Sequence, residues 1–139
     1  MRIHIKKGVL KEIERKARQG YPLEVIGFLI GRPGSGIKYP MTVTGVVWPR
    51  QIRETDHVYA MKGEYRKASR DATVLGTVHS HPDTDSPLPS GEDHCDDADR
   101  RLMAIISVYK KGVGGETATL GTRIMFWEPM REIKVREVR

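Results

Sequence analysis

Apolar residues recur along this chain at two periods, and the switches between the periods outline its elements. Residues 2–6 alternate, Ile3 and Ile5 against His4 and Lys6, which predicts a short strand with one buried face. From Gly8 to Gln19 the period lengthens. Val9, Leu10, Ile13 and Ala17 fall at helical spacing, so an amphipathic helix is expected, with Gly20 just past its end as a left-handed cap. Residues 24–32 hold the apolar run Val25-Ile26-Gly27-Phe28-Leu29-Ile30-Gly31 between Pro22 and Pro33, the signature of a central strand. Arg32-Pro33-Gly34-Ser35-Gly36 reads as a turn, and residues 37–48, with Val43, Val46 and Val47, as a second strand completing a hairpin.

Residues 49–61 are irregular and predict a loop, 62–71 a helix, and 73–79 a buried strand rich in β-formers that ends in His79-Ser80-His81-Pro82. The loop from Pro82 to Pro89 holds Pro82, Pro87 and Pro89 with Asp83 and Asp85, so it is stiff and polar. Ser90 is expected to open a helix. Strands are expected at 102–109 and 117–128 around a glycine-rich turn, and residues 132–138 alternate imperfectly as a last edge strand. No repeat, linker or low-complexity tract interrupts the pattern. The expectation is one α/β domain over residues 1–139, a mixed sheet with about three helices.

Composition narrows the class. A chain of 139 residues with 38% hydrophobic and 30% charged residues can bury a core without disulfides and is not of disordered type. The longest apolar runs, such as Leu102 to Ile106, are too short to span a bilayer, and the charged N-terminus has no apolar stretch behind it to act as a signal peptide. The cytoplasm is the expected compartment. The single cysteine, Cys95, fits a reducing environment; its polar surroundings leave an intermolecular bridge open. The net charge is +6, but the basic residues are spread over several segments with no nucleic-acid-binding motif beside them, which reads as a generally solvated basic surface; nucleic acid is not an expected partner, and an acidic protein would suit the charge equally.

The chemistry gathers around His79 and His81. Two residues apart on a strand, both imidazoles face the same way and suit a borderline-soft ion such as zinc. A catalytic zinc takes three protein ligands, and Asp83, Asp85, Glu92, Asp93, His94, Cys95, Asp96 and Asp97 are all near in sequence. Asp93 fits best: it lies in the first turn of the helix that Ser90 opens, and the proline-rich loop can fold that turn back over the histidines. Ser90-x-x-Asp93 also matches a helix capping box that needs no metal. Glu24, flanked by Pro22-Leu23 and Val25-Ile26, is expected to be partly desolvated, a setting that suits a general base.

Taken together, Glu24 at the head of its strand, His79-Ser80-His81-Pro82, and Pro89-Ser90-Gly91-Glu92-Asp93 resemble the motif of the JAMM (MPN+) zinc metalloprotease family. The resemblance implies a JAMM/MPN-like (cytidine-deaminase-like) fold with a curved mixed sheet. It implies one Zn2+ per chain held by His79, His81 and Asp93, a zinc-bound water activated by Glu24, and Ser90 as hydrogen-bond donor to the oxyanion. Eleven residues separate His81 from Asp93, one more than is usual in the family. A strict count puts Glu92 in the ligand position, whereas the serine-to-aspartate spacing favours Asp93. No acyl-enzyme is implied, so Cys95 is not a nucleophile.

The implied reaction is isopeptidase cleavage after the C-terminal Gly-Gly of ubiquitin-like (β-grasp) modifiers or sulfur carriers, as in small stand-alone members of desampylase type. The modifier's tail is expected to add as a strand near 37–47 or along 50–60. Homodimers occur in the family. The competing reading is a non-catalytic MPN-type scaffold with bound zinc. His79-x-His81-x-Asp83 also matches part of a metallo-β-lactamase motif, but Thr84 stands where that motif needs histidine.

Overall fold

In the computed structural model, which describes residues 3–35, 40–54, 57–89, 102–112, 119–128 and 131–139, the alternating N-terminus is strand β1 (Ile3–Lys6), with Ile3 and Ile5 buried. Gly8, at φ +96°, turns the chain into helix α1 (Val9–Gly20) and donates no side-chain cap. Val9, Ile13 and Ala17 form its buried stripe, and burying a Val or Ile side chain contributes about 1.5–3 kcal/mol. The expected left-handed cap at Gly20 is not what forms. Gly20 is the last helical residue, and the chain leaves through Tyr21 in an extended conformation. Glycine is needed there for space, because a Cβ on Gly20 would lie 2.4 Å from Val25 Cγ1.

Strands β2 (Ile26–Arg32) and β3 (Met41–Val47) form the expected antiparallel pair. The segment expected as loop is instead a small hairpin, β4 (Gln51–Glu54) with β5 (His57–Ala60), in a sheet of its own. Its alternation is too short to be read from sequence, and its stability comes from what it packs on. Helix α2 (Glu64–Asp71) follows. Glu64 is buried, and its carboxylate accepts the Arg50 backbone N–H at 2.7 Å and Arg50 Nε at 3.2 Å, which ties the hairpin's base to the helix start. The Arg50 amide, above all, holds the Glu64 carboxyl below its ordinary value, against the opposing effect of burial.

Strands β6 (Val74–Pro82), β7 (Leu102–Lys111), β8 (Thr119–Glu128), β9 (Arg131–Ile133) and β10 (Val135–Val138) complete the main sheet. Its order is β10-β1-β3-β2-β6-β7-β8-β9, mixed in direction: β6 runs parallel to β7, and β1 parallel to both β3 and β10. The C-terminal stretch is therefore not one edge strand. Separated only by Lys134, β9 pairs with β8 and β10 with β1, so one run of chain joins the two ends of a strongly curved sheet.

Helix α1 lies against one face, where Ile13 and Ala17 join Leu29, Val43, Ala104, Ile106 and Val108 in the core. Trp48 closes this layer. Its indole N–H donates to Glu12 at 3.2 Å, Lys16 sits over its ring, and Gly27 leaves room for it. The opposite face carries Phe28, edge-on to Tyr65 of α2, and a second apolar group of Met103, Ile105, Trp127 and Met125. Two helices are described; the third, expected from Ser90, lies outside the described residues. Among the described residues no helix is long and apolar enough to cross a membrane.

Candidate metal centre

Register places the candidate residues. In the β2–β6 ladder Ile26 faces His79, and one residue further Ser80 N–H donates to the Val25 carbonyl at 3.0 Å. Glu24 precedes β2, which begins at Ile26 and not at residue 24 as expected, so it lies beyond the paired register. On the other side of β6, His79 is aligned with Ile105 and His81 with Ser107, and these with Met125 and Arg123 on β8. Residues aligned in this way share a face. Two cross-strand rows result on the face opposite α1: Ile26, His79, Ile105, Met125, and His81, Ser107, Arg123. The first row is apolar around its histidine; the second carries the polar and charged groups.

The His79 and His81 rings stand with centroids 4.9 Å apart, tilted by 54°. With Zn–N bonds of about 2.0–2.1 Å, two imidazoles sharing one tetrahedral ion would stand roughly 5 Å apart, so this pair fits zinc in spacing and in donor chemistry. The His79 Nε2 atom is shielded from solvent. Glu24 is half-buried, and its neighbour Leu23 is 54% exposed. Among the described residues no three His, Cys, Asp or Glu side chains converge at a common point. A third protein ligand would have to come from outside the described residues. Ser90 and Asp93, with Glu92 and Cys95, lie outside the described residues.

Three features here were not legible from sequence. Ser80, between the two histidines, is 1% exposed, and its Oγ accepts the Val25 N–H at 2.8 Å. The loop after Pro82 is pinned at both ends. Asp83, at φ +62°, donates its N–H to Val108 O at 2.7 Å and its carboxylate accepts the Tyr21 hydroxyl, while Trp127 Nε1 donates to the Pro87 carbonyl at 3.1 Å. The hydrogen bond to Asp83 raises the Tyr21 phenol above its ordinary value. Third, Gln51 Oε1 accepts the Ile26 N–H at 3.3 Å, so the β4–β5 hairpin is fixed beside the head of β2, and Ile52 and Tyr59, paired across it, are both exposed. A cleft of about 510 Å³ opens past Pro82, lined by Asp83, Thr84, Asp85, Tyr109 and Lys110.

Of the candidate strand edge near 37–47, Met41–Val43 is already paired with β1. This segment belongs to β3, which lies between β1 and β2 in the sheet.

Residues 6–121 match the family model described as prokaryotic homologs of the JAB domain. Among solved structures, a JAB1/MPN domain protein from Archaeoglobus fulgidus is similar over 99% of this chain and 98% of its own, at 21% identity and a TM-score of 0.61. A protein from Desulfitobacterium hafniense solved in solution is similar over 98% and 92%, at 22% identity and a TM-score of 0.67. A structure described as "JAMM: A Metalloprotease-like Zinc Site in the Proteasome and Signalosome" covers 100% of both chains at 20% identity and a TM-score of 0.58. At these identities the likeness concerns the fold. No curated protein sequence matches the chain.

Proposed function

Because the chain belongs to the family of prokaryotic homologs of the JAB domain, we propose that it is a zinc metalloprotease of JAMM type. Its reaction is hydrolysis of the bond after the C-terminal Gly-Gly of ubiquitin-like modifiers. The observation that carries this reading is a zinc-compatible histidine pair at the end of β6, with a half-buried glutamate two residues ahead of the strand that pairs with β6.

In this reading His79 and His81 hold the metal with Asp93 as third ligand. Zinc, when bound, supplies a Lewis acid that acidifies a coordinated water and polarises the scissile carbonyl. The Glu24 carboxylate takes the proton from the attacking water and delivers it to the departing amine nitrogen. Ser90 donates a hydrogen bond to the carbonyl oxygen as it gains charge. The exposed apolar pair Ile52 and Tyr59, on the hairpin that Gln51 fixes beside Ile26 at the head of β2, receives the modifier's extended tail.

Metal analysis of the purified protein is expected to give about one zinc per chain, lost in His79→Ala and in His81→Ala. Glu24→Gln keeps the zinc and loses hydrolysis of a modifier fused through its Gly-Gly end, read by mass. Full activity in Glu24→Gln would remove the general-base assignment. A scaffold behaves differently: chelation lowers its melting temperature while there is no hydrolysis to lose. Asp93→Ala and Glu92→Ala separate the two candidates for third ligand, since only the ligand's loss sharply weakens zinc binding.

A further inference from the structure

The chain segments carrying Glu24 and the histidines part company just past the end of a ladder. The β2–β6 ladder ends at Ile26 and His79. One residue on, Val25 and Ser80 face each other as a pair that in a regular antiparallel ladder exchanges two backbone hydrogen bonds. Only one of these forms, from Ser80 N to Val25 O at 3.0 Å. The return bond, from Val25 N, goes to the Ser80 hydroxyl at 2.8 Å. Ser80 is 1% exposed and Val25 5%, so the amide has no ready access to water in exchange. Alanine at 80 would leave it buried without an acceptor, which is the costly way to lose a hydrogen bond.

This side-chain clamp acts on one neighbour on each side. Val25 directly follows Glu24, and Ser80 lies between His79 and His81. We infer that Ser80 is a positioning residue: its hydroxyl, by holding the Val25 amide at the point where the strands separate, fixes the Glu24 carboxylate relative to the histidine pair. Neither alanine nor valine can do this, while threonine carries the same oxygen on the same carbon and, being β-branched, suits a strand. The inference rests on the peptidase reading for the use of Glu24; the clamp itself does not.

The test uses the zinc-loaded full chain and the variants Ser80→Ala, Ser80→Thr, Glu24→Gln and the double variant Ser80→Ala/Glu24→Gln. Amide hydrogen exchange at Val25 reads the clamp without any activity. Ser80→Ala is expected to speed it by about ten-fold or more, and Ser80→Thr to restore it. Against a modifier fusion, Ser80→Ala is expected to lower kcat by roughly 10- to 100-fold, the scale of a misplaced reacting group, with KM and zinc content little changed. Ser80→Thr recovers most of the rate, and in the Glu24→Gln background Ser80→Ala costs nothing more. Unchanged Val25 exchange in Ser80→Ala overturns the clamp. Loss of zinc in step with activity, or a multiplicative double variant, overturns the route through Glu24. If Glu24→Gln is itself fully active the peptidase reading fails, and the positioning role fails with it, whatever Val25 exchange shows. Should Ser80→Ala not fold, Ser80→Cys, with a weak acceptor of similar size, is expected to fall between wild type and complete loss on both readouts; wild-type values for both would overturn the inference.

Discussion

Trp127 is the residue on which the loop behind the histidines depends, and Trp127→Phe measures that dependence. The indole N–H reaches the Pro87 carbonyl at 3.1 Å in a buried setting, and Pro87 is among the most completely buried side chains. Phenylalanine keeps an aromatic ring but donates nothing. The stranded carbonyl costs about 1–3 kcal/mol. The space left by the missing half of the indole adds roughly 1 kcal/mol, a fraction of what complete truncation of a core aromatic costs. The sum is about 2–4 kcal/mol. For a chain of this length one kcal/mol moves the melting temperature by about 3–5 °C, which gives a drop of roughly 6–20 °C for a two-state transition. Asp93, the proposed third ligand, follows Pro87 closely in sequence, and on that proposal the effect extends to the metal. Zinc affinity, read by competition with a chromophoric chelator, is expected to fall along with stability. Met125→Leu is the control: it changes the same apolar group at nearly constant volume and without a hydrogen bond, and should cost less than about 1.5 kcal/mol. A Trp127→Phe protein that melts within about 2 °C of wild type and binds zinc as tightly would refute the tether.

Other expectations follow from the same contacts. Glu64 is held below its ordinary value of 4.5, so its stabilisation is complete above the unfolded-state value and is lost as pH falls through the lower folded-state one. The urea midpoint of wild type should therefore exceed that of Glu64→Gln near neutrality, and the two should converge as the solution is acidified. A Cβ on Gly27 would meet the Trp48 ring and Val46 at 2.7–2.8 Å, whereas one on Gly76 would lie 1.7 Å from the Leu102 carbonyl oxygen. Side chains can shift and a paired backbone cannot. Gly27→Ala is expected to cost about 1–3 kcal/mol with a change in tryptophan fluorescence, and Gly76→Ala distinctly more by denaturant unfolding. Ile52→Ser with Tyr59→Ser should raise KM for a modifier fusion several-fold while leaving kcat and the melting temperature near wild type, since both side chains are already exposed. An unchanged KM would move the docking surface off the hairpin.

The sequence by itself determined most of the strands, both described helices, the shared direction of His79 and His81, and the family. These rest on local rules: period fixes which face is buried, and an interval of two on a strand fixes a common side. What it could not determine depended on partners far along the chain. Residues 51–60 have too few alternations to declare strands, and they are held in place by Gln51 and Glu64. Residues 131–138 alternate like any edge strand, and only closure of the curved sheet shows that they join β8 to β1. Gly20 was legible as a glycine that the chain requires, but the requirement is Val25 beside it and not a left-handed turn. Ser80 is the sharpest case. Between two histidines it is only a small polar spacer. Its hydroxyl acquires a task when the antiparallel register sets it against Val25, 55 residues away in sequence. Register is a property of two strands, so no pattern within either one can reveal it.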